Sequence, residues 1–243
     1  MNAEAVIWPM LQAKARGRGP SSAGAPVLTA YDQGARTELS AVTLANAVAK
    51  AANALVDDAD IEPGDVVAVD LPWHWQRCVW LLACWSAGAT VHLGRDGDQS
   101  RLQLVGPSTE VPIESTGSTW VVSLHPLGMP LVGAPANVED AVLLARAGAD
   151  DFFAPEVAGP ALTGLSGLPG PSQQQAVDLV QRALAEHGQA TRLLIPGELA
   201  DPTLSALLLA IGPVLPGTSL VITGAVDAAE CAQVAQQESA TPW

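Results

Sequence analysis

Residues 64–94, GDVVAVDLPWHWQRCVWLLACWSAGATVHLG, read as strand, turn, helix and strand, a single βαβ unit. Val66–Leu71 is a short apolar run enriched in β-branched residues, the pattern of a strand covered on both faces. His74–Ala87 is long enough for a helix and is apolar nearly all round from Cys78 to Trp85, which predicts deep burial. Gly88 supplies the left-handed residue that closes such a helix, and Ala89–Leu93 returns as a strand. A connection of this kind makes the two strands parallel.

Working outward, Val6–Ala15 reads as a short helix, and Val27–Tyr31 with Arg36–Leu39 as a hairpin around Asp32-Gln33-Gly34. Ser40 caps a helix in which Leu44, Val48, Ala51 and Leu55 recur at helical spacing. Beyond the central unit, Leu102–Val105 and Trp120–Leu124 read as strands. Asn137 with Asp140 makes a capping-box-like start for a helix over Val138–Ala147. Ser172 with Gln175 opens a helix over Gln173–His187 in the same way, with Val177, Val180 and Leu184 as its apolar stripe. Strand Thr191–Ile195, helix Thr203–Ile211, strand Ser219–Thr223 and a helix capped by Asp227 complete the chain. Strict alternation in the back third calls for a parallel sheet. The expected fold class is therefore α/β, with a mostly parallel sheet or sheets and helices on both faces. The expected organisation is a partly flexible segment 1–26, an α/β lobe 27–158, a Gly/Pro-rich connection 159–172 and a packed second segment 173–243.

Hydrophobic residues make up 49% of the 243, so a sizeable core is available and disorder is excluded. A net charge of −14 argues against nucleic-acid or anionic-membrane partners, which need a basic face. Pro202–Val226 holds no charged residue, but Gly212, Pro213, Pro216 and Gly217 interrupt it, so it reads as a buried helix and a strand rather than a membrane span. Of three cysteines, Cys78 and Cys84 lie six apart on one helix, about 240° around its axis, and neither pair nor share a metal. Reduced, buried thiols and the lack of a secretory pattern at the start fit the cytoplasm. No histidine, cysteine or carboxylate grouping has metal-ligand spacing.

The stretches VLTAYD, ELSAVTLANAVAKAANAL, IEPGDVVAVDLP and CWSAGATVHL, spread over Val27–Gly94, resemble the N-terminal region of the AMP-forming acyl-CoA synthetase and adenylating-enzyme superfamily. More closely, ELSAVTLANAVAKAANAL with LPWHWQ looks like a family of short bacterial proteins that resemble a truncated front part of such synthetases. The resemblance is good over roughly the first 95 residues and loose beyond. It implies a Thr/Ser/Gly-rich phosphate loop ending Pro-Lys-Gly, whose counterpart here is LTGLSGLPGPS, Leu162–Ser172. Gly170 stands where that lysine would be. The aromatic-Gly-x-Thr-Glu and Thr-Gly-Asp motifs have no counterpart, nor has the C-terminal domain with its catalytic lysine. The chain's two lysines, Lys14 and Lys50, both lie upstream. Adenylation by this chain alone is therefore not expected.

Two groups of residues are candidates for binding. Thr163, Gly164, Ser166, Gly167 and Gly170 form a degenerate phosphate-loop candidate for ATP or AMP, or else an ordinary loop. Their glycines fail both the Gly-x-Gly-x-x-Gly and the Walker spacing, and Leu168 breaks a nucleophile elbow at Ser166. Asp70, Trp73, His74 and Trp75 stand at the carboxyl end of the first core strand, where α/β sheets place ligands. There His74 either serves proton transfer or caps the helix. No resident cofactor is expected. Three functions remain open: a non-catalytic relative of adenylating enzymes that binds a small molecule or acts as an accessory, an adenylating half working with a separate chain, or a homo-oligomer-forming subunit suggested by the seven tryptophans.

Overall fold

A computed structural model describes residues 3–17, 24–95, 100–107, 118–133, 138–163, 170–188, 190–224 and 227–243. In chain order its elements begin with β1 (Ala3–Glu4), α1 (Ile7–Ala15), β2 (Pro26–Asp32), β3 (Ala35–Ser40), α2 (Ala41–Asp57), β4 (Val66–Asp70), α3 (Trp75–Ser86) and β5 (Thr90–Leu93). There follow β6 (Leu102–Val105), β7 (Ser118–Val121), β8 (Glu139–Asp140), α4 (Ala141–Ala147) and β9 (Val157–Ala158). The chain closes with α5 (Gln173–Glu186), β10 (Arg192–Pro196), α6 (Pro202–Ile211), a 3₁₀ turn at Gly212–Val214, β11 (Ser219–Thr223), α7 (Ala228–Glu238) and β12 (Thr241–Pro242).

The fold is α/β, as expected. One five-stranded sheet, ordered β5-β4-β6-β7-β8, is parallel throughout. The second, ordered β12-β10-β11-β2-β3, is parallel except for the β2–β3 hairpin at its edge. That hairpin belongs to the front of the chain and the strands beside it to the back, so this sheet is assembled across nearly the whole sequence. The pair β1–β9 adds a short antiparallel ladder.

Helix α3 lies at the centre. All twelve of its residues are buried, and it packs on α2, α6 and α1 as well as on strands of both large sheets. Gly88 ends it at φ +82°, where Ala89 N–H reaches back to the Cys84 carbonyl. The Gly88 carbonyl then accepts the N–H groups of both Gly64 and Gly159, joining the entry to β4 and the 159–163 segment at one point. Cys78 and Cys84 are fully buried, and burial pushes both thiols up, so they stay protonated and inert.

Two of the expected elements differ from their expected bounds by more than one residue at an end. Helix α4 starts at Ala141, because Glu139–Asp140 pairs with Trp120–Val121 as β8. The Asp140 carboxylate accepts the N–H groups of Val142 and Leu143, which makes Asp140 the cap; Asn137 lies outside the described residues. Strand β7 spans Ser118–Val121, and Leu124 is beyond its pairing. The caps at Ser40, Ser172, Asp201 and Asp227 stand where expected, with both halves of the Ser172–Gln175 box formed. No helix among the described residues is long and apolar enough to cross a membrane.

At the far end of the chain Glu238 accepts hydrogen bonds from Tyr31 Oη (2.5 Å), Arg36 Nε (2.7 Å) and Arg192 Nη2 (2.6 Å). Burial raises its carboxyl pKa, but the bonds from Arg36, Tyr31 and Arg192 outweigh that and hold it at about 2. A charge this well matched fixes α7 to the second sheet.

Candidate functional site

The carboxyl ends of both sheets converge on the start of α3. From the parallel sheet, β4 ends at Asp70, whose Oδ2 is 3.5 Å from Arg95 Nε. From the mixed sheet, β2 ends at Asp32, with Oδ2 3.9 Å from His74 Nε2. The loop after β10 brings Glu198 within 2.8 Å of the buried Arg77. Of these, Asp70 and His74 were expected from the sequence; Asp32, Arg77, Arg95 and Glu198 were missed. Glu198 directly follows Gly197 at the end of a strand, and position after a strand was the signal available for it.

His74 caps α3. Its Nδ1 accepts the Gln76 N–H at 3.2 Å, which puts the proton of the neutral ring on Nε2. Burial lowers its pKa to about 4, against the pull of Asp32. A histidine neutral at pH 7, with one nitrogen committed to a backbone amide and a pKa far below operating pH, makes a poor general base. Trp73 is half-buried and Trp75 buried, and neither indole N–H meets an acceptor among the described residues.

The depressed pKa has a measurable consequence. Unfolded His74 takes up a proton near pH 6.5 and the folded ring near 4, so its contribution is full above pH 6.5 and lost as pH falls from 6.5 to 4. His74→Asn keeps a capping side chain without a titrating one. Urea unfolding at pH 7 and 4.5 is expected to show the wild type losing about 2–3 kcal/mol more than this variant. An identical loss in both proteins would place the proton uptake elsewhere.

The phosphate-loop candidate runs from the edge of the same sheet. Val91 N–H bonds the Ala161 carbonyl and Thr163 N–H the Val91 carbonyl, so residues 161–163 lie alongside β5 and leave it at its carboxyl end. Thr163 Oγ1 is 3.1 Å from Nδ1 of the half-buried His92. Gly164, Ser166 and Gly167 fall outside the described residues. Gly170 lies hard against the start of the loop: a Cβ there would sit 1.8 Å from the Leu162 carbonyl oxygen. The Ala161 N–H closes the loop on Pro171 O at 2.7 Å. Both lysines point elsewhere. Lys14 Nζ donates to the carbonyls of Leu215 and Thr218, ahead of β11, and Lys50 Nζ to Gly148 O with Asp150 beside it.

The AMP-binding enzyme family matches residues 20–99. The TIGR03089 family protein of Mycobacterium tuberculosis (strain ATCC 25618 / H37Rv) is 36% identical over 169 residues, covering 67% of this chain and 66% of that protein. Over residues 20–99 the chain is a relative of the AMP-binding enzymes.

Solved structures agree on the fold. The Brucella canis acyl-CoA synthetase superposes with a TM-score of 0.72 at 19% identity, over 99% of this chain and 47% of that one. The long-chain-fatty-acid-CoA ligase from Archaeoglobus fulgidus gives 0.74 at 13%, over 99% and 51%. The O-succinylbenzoate coenzyme A synthetase from Bacillus subtilis, in complex with AMP, gives 0.67 at 14%, over 99% and 61%. This adenylating-enzyme relative thus spans about two thirds of the curated protein it matches and about half of the solved ones.

Proposed function

We infer that this chain is a small-molecule-binding or accessory protein built on the front of the adenylating-enzyme fold, and that it does not by itself adenylate a carboxylic acid. The seat of Gly170 carries this reading. A nucleoside triphosphate needs a cation over its phosphates, and backbone amides alone neutralise them poorly. At the position where the superfamily places a lysine, the backbone leaves no room for any side chain. The cations near the strand ends, Arg77 and Arg95, already face Glu198 and Asp70, which supports the same reading. These residues do not fit ATP.

ATP–pyrophosphate exchange with Mg²⁺ and a panel of short, long and aromatic carboxylic acids tests this directly. The expected result is exchange at background with every acid. Clear exchange with any one of them overturns the reading. Gly170→Lys is expected to leave exchange at background and to lower stability, since its Cβ meets a carbonyl before its amine reaches any phosphate.

A further inference from the structure

Between α2, α3 and α4, beside Leu127 and Gly128, lies a cavity of about 200 Å³. Its wall is mostly apolar, with Leu39, Ala47, Trp75, Val79, Trp80 and Val142. Gly128, at φ +59°, lies against the Trp75 indole: a Cβ there would be 3.2 Å from Cη2. The indole N–H groups of both Trp75 and Trp80 are buried and meet no acceptor among the described residues. Buried donors of this kind are normally satisfied.

Charge sharpens the picture. The chain has 25 carboxylates against 11 Lys and Arg. Yet the wall holds Lys50 and Arg146 and no carboxylate at all. Lys50 is taken up by Gly148 and Asp150. Arg146 is exposed, and its guanidinium meets the Met129 thioether at 3.6 Å, a weak acceptor. An apolar chamber of this volume holds about one aromatic ring. The Arg146 guanidinium at its rim asks for an anionic acceptor.

We propose that this cavity binds a monocyclic aromatic carboxylate, with the ring between the Trp75 and Trp80 side and α2 and the carboxylate toward Arg146. The site shares only Trp75 with the strand-end group, includes none of Asp70, Trp73, His74, Thr163 or Gly170, and requires no nucleotide. Its fate is therefore separate from that of the adenylation reading.

The test titrates the full chain with benzoate and with benzamide, its uncharged counterpart, following tryptophan fluorescence and heat. Benzoate is expected to saturate with Kd of about 0.1–1 mM, in keeping with a nine-heavy-atom ligand. Benzamide is expected to bind at least about fivefold more weakly. Arg146→Gln should weaken benzoate about five- to tenfold and leave benzamide unchanged. Ala47→Leu, which places three more carbons in the chamber, should abolish binding of both. No saturable benzoate binding, equal affinity for the two probes, or indifference to Arg146→Gln overturns the proposal. If Ala47→Leu does not fold by circular dichroism, Arg146→Gln, an exposed position, decides alone.

Discussion

Trp85→Ala is expected to be among the most damaging single substitutions in this protein, lowering stability by about 3–5 kcal/mol and Tm by roughly 10 °C. The side chain is fully buried in the last turn of α3. Its removal opens a large cavity in a helix with no solvent-facing side to relax into. The indole Nε1 also donates to the Ala161 carbonyl at 2.6 Å, so the substitution removes one of the bonds that hold the 161–163 segment beside β5. Trp85→Phe separates the two effects, keeping most of the apolar volume while leaving the Ala161 carbonyl with the Val91 N–H alone, at a cost of about 1 kcal/mol. Urea unfolding of both variants is the measurement. Equal losses in Phe and Ala would assign the effect to the hydrogen bond rather than to packing.

Gln173→Ala is expected to cost about 2–4 kcal/mol, although it deletes only a polar side chain. Gln173 opens α5 and is fully buried. Its Oε1 accepts the N–H groups of Val6 (3.0 Å) and Ile7 (3.1 Å), and its Nε2 donates to the Trp85 carbonyl (2.8 Å). Helix α1 has no capping side chain of its own at Val6, so Gln173 satisfies its first amides from more than 160 residues away. Removing it leaves the Val6 and Ile7 amides without their acceptor, while the Trp85 carbonyl keeps only the Gly88 N–H. Hydrogen exchange at Val6 and Ile7 should speed up well beyond the global effect. Unchanged exchange at those amides would show that α1 is held by its apolar face alone.

The central unit was legible because each signal in it was local. Val66–Asp70 is a strand for its β-branched run, α3 a helix for its length and apolar surround, and Gly88 a terminator for its freedom at φ +82°. His74 as a helix cap was one of two readings left open by the sequence, and the hydrogen bond from Gln76 selects it. The strand-end site was half legible. Asp70 and His74 follow from their position after β4, but Asp32 reaches His74, and Glu198 reaches Arg77, through strands of the other sheet. No spacing within 64–94 refers to either.

The sequence by itself determined the elements of this protein, their caps and its adenylating-enzyme kinship, because hydrophobic period, glycine conformation and capping chemistry act within a few residues. Only the tertiary structure decided that a front hairpin joins the back strands in one sheet, that Gln173 caps a helix it does not belong to, and that Gly170 has no room for a side chain. The first two outcomes depend on groups that meet across more than a hundred residues and the third on a loop that closes back on Leu162, and such meetings are fixed by packing rather than by any local preference.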